Sequence, residues 1–213
     1  MYYFPEGGKF FYSTTFAAAK TISALTNGDP AVATSVAHGY SDSDELLIAS
    51  GWDDVNESVY KADQLSADTF SLLGLNTVNT DFFPAGTGIG TAKKISGWVE
   101  IPQILGIDVS GGDPKYGVIS PLSRRNSINQ PIGFNPETLT LTLGFDPANA
   151  TLIAMIAIGK VLTKCAFKQT VPGGLTTYGY GFMVTSRRAK QAAGQANTVA
   201  CSIAIQGEST SYA

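Results

Sequence analysis

The residues that could do chemistry are few and scattered. The one histidine, His38, lies in Ala37-His38-Gly39. With no cysteine or carboxylate at ligand spacing, it reads as a turn residue rather than a metal ligand or proton shuttle. Cys165 and Cys201 fit neither zinc spacing nor a disulfide framework, so both are expected as reduced, buried thiols. Asp42-Ser43-Asp44-Glu45 concentrates carboxylates, but it lacks the glycine and terminal glutamate of a calcium loop and reads as a solvated turn. Gly86-Thr87-Gly88-Ile89-Gly90 has neither the basic residue nor the following helix that a phosphate cradle needs, and reads as linker. Arg124-Arg125 is a weak basic patch, with a salt-bridged loop as the ordinary expectation. No nucleophile has a base beside it. No catalytic, cofactor-binding or metal-binding residue is assigned, and a non-enzymatic role is expected.

The elements that would have to position any site are β-strands. Residues 137–159 read ETLTLTLGFDPANATLIAMIAIG. Leu139, Leu141, Leu143 and Phe145 alternate with threonines, the period of a half-buried strand. Asp146-Pro147 then has the chemistry of a helix start, an N-cap followed by proline at the first helical position. The spacing predicts a short helix over 147–158, with Leu152, Met155 and Ile156 on one face and Gly159 as its stop. A helix this apolar must be covered.

Residues 1–16 are aromatic and irregular and read as an arm. Residues 17–80 hold short strands separated by turns and form a small, more acidic β-rich unit. The seam TDFFPAGTGIG at 80–90 leads into a main unit over 81–213. There, Trp98 and Ile101 are core anchors, and 108–136 is a long irregular loop of the kind that usually serves function. A hairpin over 160–185 follows. The last strand, 197–206, points Val199, Cys201, Ile203 and Ile205 inward and small residues outward. A polar tail ends the chain.

Composition agrees with this. The 213 residues are 44% hydrophobic and 15% charged, with 23 glycines, which suits one turn-rich β domain with a substantial core. A net charge of -3 does not advertise tight nucleic-acid binding, which needs clustered cations. The aromatic N-terminus lacks the form of a secretory signal, and no stretch approaches the roughly 20 apolar residues of a membrane span. A soluble protein made in the cytoplasm, with no membrane partner, is expected. The fold class that follows is mainly β, an antiparallel sandwich or barrel with one short helix packed on it.

The order of elements resembles the tail tube proteins of long non-contractile-tailed bacteriophages. The likeness rests on AVATSVAHGYSDSDELLIAS at 31–50, continuing through Gly51-Trp52 to 68–72, and on TDFFPAGTGIGTAKK at 80–94. Trp98, Gly111-Gly112-Asp113-Pro114-Lys115 and the final strand leading to a Gly-Glu-Ser-Thr end also carry it. The resemblance implies a structural virion protein without cofactor that forms homohexameric rings. The rings stack into a hollow tube for phage DNA, which passes without sequence-specific binding. It implies tail terminator, tape measure and tail-tip proteins as partners, and assembly in the host cytoplasm. Phe4, Phe10, Phe11, Pro114, Tyr116, Arg124 and Arg125 are the candidate subunit contacts. Two other readings fit the pattern. One is a tube subunit of a contractile injection or secretion machine. The other is a β-sandwich receptor or carbohydrate-binding module whose aromatic arm and Trp52 touch ligand. A hydrolase using loop carboxylates ranks below both, because no paired acid and base is visible.

Overall fold

The computed structural model describes residues 7–213, so Phe4 lies outside the described residues. The chain begins with β1 (Lys9–Ser13) and continues through β2 (Thr15–Phe16), β3 (Lys20–Ile22), β4 (Ala24–Leu25) and β5 (Ala31–Thr34). Next come β6 (Glu45–Ser50), β7 (Ser58–Gln64), β8 (Thr69–Leu72) and β9 (Gly90–Ser96). Then follow β10 (Val99–Glu100), β11 (Ile104–Ser110), β12 (Pro114–Ile119), β13 (Ile128–Phe134) and β14 (Thr138–Gly144). The helix α1 (Ala150–Val161) leads to β15 (Lys164–Thr170), β16 (Thr176–Thr185), β17 (Thr198–Ile205) and β18 (Thr210–Tyr212). The fold is mainly β and antiparallel, with one helix among the described residues, as the periodicities predict.

The main sheet runs β10-β1-β15-β16-β17-β14-β11, with β18 added beside β16. One face carries a core of Phe10, Phe167, Met183, Cys201, Ile203 and the three leucines of β14, closed by Leu152 and Met155 of α1. The alternation read from the sequence decides this. Leu139, Leu141 and Leu143 are buried while Thr138, Thr140 and Thr142 stay half-exposed on the other face. The second sheet runs β2-β9-β6-β7-β8-β5-β4. Residues 20–25 pair with β9 through β3 and, past Ser23, with β5 through β4, so one bent segment draws the two ends of this sheet toward each other. It encloses its own core around Trp52, Phe70, Leu46 and Ile48.

Several expectations are corrected. The arm at 1–16 contains β1, which pairs with β10 on one side and β15 on the other. The loop at 108–136 holds the ordered hairpin β12–β13. The tail holds β18, which pairs with β16. The helix begins three residues later than Asp146-Pro147 suggests. Asp146 instead accepts from the Ala148 N–H within a turn, and Asn149 caps the helix through the Thr151 and Leu152 N–H groups. Gly159 does not stop the helix. A Cβ there would lie 3.2 Å from the Met183 carbonyl oxygen, so the glycine lets α1 lie close on β16. Leu162, in the left-handed conformation, ends the helix.

The two sheets meet over half of the main sheet. Leu47, Val59 and Ile95 of the small sheet pack on Ala166 and Tyr178 of the main one. At this junction the Glu45 carboxylate accepts from Lys168 Nζ (3.1 Å), from the Tyr178 hydroxyl (2.6 Å) and from the Trp98 indole N–H. Lys168 also lies 4.5 Å over the Trp98 ring. Burial, with the Glu45 carboxylate next in weight, pushes the Tyr178 hydroxyl well above its ordinary range, so it remains a donor. A second pair, Lys164–Glu57 at 2.5 Å, bridges the same sheets. The Tyr212 hydroxyl donates to the Leu73 carbonyl (2.9 Å) and accepts from the Lys61 N–H (3.1 Å). An apolar contact ringed by satisfied polar groups holds the sandwich together.

Candidate assembly interface

The residues first considered for chemistry are structural in this fold. His38 is buried, donates from Nε2 to the Ser66 carbonyl and accepts the Tyr40 N–H at Nδ1. The Asp42–Glu45 carboxylates diverge. Asp42 accepts from the Gln64 N–H, Asp44 pairs with Lys94 at 2.6 Å, and Glu45 turns into the sheet junction. Asp44 and Glu45 are therefore partly buried joints, while Asp42 stays on an exposed turn. Trp52 is 2% exposed, and its indole donates to the Pro84 carbonyl and the Thr87 hydroxyl. The 80–90 seam is thus a lid folded over that ring, with Gly88 against its face, and Trp52 is not available to a ligand. Among the described residues, no group of three or more His, Cys, Asp and Glu could hold a metal ion.

Both cysteines are buried in the main core. Burial pushes Cys165 up to about 12, with Cys201 a lesser cause, and burial alone raises Cys201 to about 11. Thiolate is the reacting form, so iodoacetamide at pH 8 is expected to leave the native protein unmodified and to label both cysteines in urea. Mass spectrometry checks this, and labelling without denaturant would contradict the packing.

The β12–β13 hairpin is a ribbon with large apolar residues turned to solvent: Tyr116 (57% exposed), Val118 (68%), Ile132 (61%) and Phe134 (77%), with Ile119 and Ile128 also open. The register puts Tyr116 opposite Pro131 and Ile119 opposite Ile128. Since neighbours on a strand alternate in direction, the two apolar sets lie on opposite faces of the ribbon. Gly117 makes room for Ile132, whose Cγ2 would lie 3.1 Å from a Cβ. An isolated two-stranded ribbon is marginal in water, and one that is apolar on both faces calls for cover on both.

Pro114 and Tyr116 stand at the base of this ribbon, and Arg124 and Arg125 are exposed at its tip. Neither arginine forms a salt bridge among the described residues. The structure therefore gathers four of the candidate contacts on one projection. The two from β1 lie elsewhere. Phe10 is 2% exposed and packs on Phe167 in the core, and Phe11 lies half-buried near Lys168. Val118, Ile132 and Phe134 carry no sequence signal as surface residues, because short apolar stretches broken by Gly, Pro and Ser cannot be assigned a buried or an open side.

Three further surfaces are open. The outer edge of β11 has no strand partner among the described residues. Helix α1 leaves Ile153 and Val161 exposed, with Leu162 just beyond it. The half of the main sheet not covered by the small sheet presents Ala200, Ser202 and Ala204 of β17, the threonines of β14, and Gly106 and Asp108 of β11.

A sandwich with a sheet edge unpaired among the described residues and an apolar ribbon outside its core has the surfaces of a structural subunit that packs against other chains. The family model for the phage tail tube protein, TTP, matches residues 50–213, and the chain belongs to the phage tail tube protein family. It is a structural component of a virion tail. No curated protein matches the chain. No helix among the described residues is long and apolar enough to cross a membrane.

Proposed function

We propose that copies of this chain join side by side into homohexameric rings, and that the rings stack into the hollow tube of a long non-contractile tail. Phage DNA leaves through this tube. Head-to-tail contacts repeat around a ring until it closes, and the free β11 edge suits a strand added by a neighbouring copy. The observation that carries the reading is the β12–β13 ribbon, which has six large apolar residues and no cover from the described residues of its own chain. The bore is lined by the open face of β17, β14 and β11. Its side chains are Thr, Ser, Ala and Gly with Asp108, a smooth surface without cations that gives phosphates nothing to grip. Assembly takes place in the host cytoplasm, with tail terminator, tape measure and tail-tip proteins as the other partners.

Negative-stain electron microscopy of the concentrated protein tests this. Six-fold rings or tubes with a central channel are expected. A monodisperse single copy at every concentration and salt condition overturns the proposal.

A further inference from the structure

Beside the free edge of β11 lies an apolar slot of about 490 Å³. One wall is Ile104, Leu105, Ile107 and Val109, and the other includes Lys9 of β1 and Pro172 of the β15–β16 turn. Leu105 and Val109 are 64% and 58% exposed, and β11 pairs with β14 on one side alone among the described residues. The slot therefore offers both apolar wall and unsatisfied main-chain groups, the requirements for adding a strand. We infer that the β12–β13 ribbon of a second copy occupies this slot, with its strand alongside β11 and its apolar side chains against the slot walls. The inference rests on the assembly proposed above and names the surface on which the ribbon seats.

Four observations choose this occupant. First, a chain's own ribbon points away from its slot. β11 and β14 pair up to Ser110–Thr138, the Gly112 and Asn135 N–H groups continue the ladder, and β12–β13 resumes it at Pro114–Phe134. The ribbon thus extends the β11–β14 pair outward and leaves the flank of β11 behind. Second, the lengths match: β11 and β13 are each seven residues, or about 23 Å at the usual rise per residue. Third, the ribbon is apolar on both faces, and one face suits the slot while the other remains for a further neighbour. Fourth, charge does not oppose the docking. Residues 114–134 carry Lys115, Arg124 and Arg125 and no carboxylate, so within a net charge of -3 the rest of the chain carries -6. Lys9, the cation on the slot wall, is already paired with Glu100 at 3.1 Å.

Cross-linking between two differently labelled preparations tests the assignment. One carries Leu105→Cys or Val109→Cys, the other Val118→Cys or Ile132→Cys, and a short bis-maleimide joins thiols that meet. The native cysteines are buried and do not compete. Assembly in each mixture is followed by sedimentation. A two-copy product joining slot to ribbon is expected, at about tenfold or more the yield obtained when the slot cysteine is moved to Asp53, because docking raises the effective concentration of the pair. Polymers in which the ribbon cross-links to Asp53→Cys as well as or better than to the slot overturn the inference and leave the proposed assembly standing. A single-copy product between Leu105→Cys and Tyr3→Cys gives the slot to the chain's own first residues and also overturns it. Failure to sediment in every mixture, unsubstituted protein included, removes both proposals.

Discussion

Replacing Val118 and Phe134 together by aspartate is expected to give a folded protein that no longer polymerises. Both side chains are more than two-thirds exposed, so the isolated subunit loses no core contact and its urea midpoint should stay within error. In an assembly that buries both, the loss is about 3–6 kcal/mol per contact, since a fully buried large apolar side chain contributes about 1.5–3 kcal/mol. That corresponds to a rise of about 10²–10⁴-fold in the concentration needed for association. Sedimentation across a concentration series reads this directly. Tubes that form at the unsubstituted concentration would show that the ribbon is not a contact.

Glu45→Ala tests the inside of the fold in the same way. The substitution leaves Lys168, whose side chain is 18% exposed, without its counter-charge, and removes the acceptor of Tyr178 and Trp98. Breaking a buried pair from one side costs about 3–5 kcal/mol, whereas replacing both partners by apolar groups of similar volume is often close to neutral. Equilibrium urea unfolding should therefore show a large loss for Glu45→Ala and recovery of most of it in Glu45→Leu with Lys168→Met. A single variant within 1 kcal/mol of the original would mean that the apolar contacts of Leu47, Val59 and Tyr178 hold the sheets together without this cluster.

The strands that the sequence displays best are those with one dry face. In β14 and β17, alternate positions differ sharply in polarity, and their inward sets are the buried ones. β1 is obscured because Phe10, Phe11 and Tyr12 are all large and apolar, and its neighbours cover it on both sides. β12 and β13 are obscured for the opposite reason: both faces are apolar and neither is covered by the described residues of this chain. The helix start is misread because Asp146-Pro147 and Asn149 offer two capping signals, and the chain uses the second. Nothing local reveals the role of Glu45, whose partners Trp98, Lys168 and Tyr178 lie 53, 123 and 133 residues away. The surface candidates Tyr116, Arg124 and Arg125 were legible as parts of a long loop. Their common projection is a property of the ladder that forms there.

The pairing of Lys9 with Thr170 also sets an order of events during synthesis. The small sheet closes on itself with residues up to 96, while β1 must wait for β15 until most of the chain has left the ribosome. Until then the slot does not exist in finished form, and the open face waits further for β17. Contacts this distant in sequence form slowly, so the main sheet is expected to be completed after the small one.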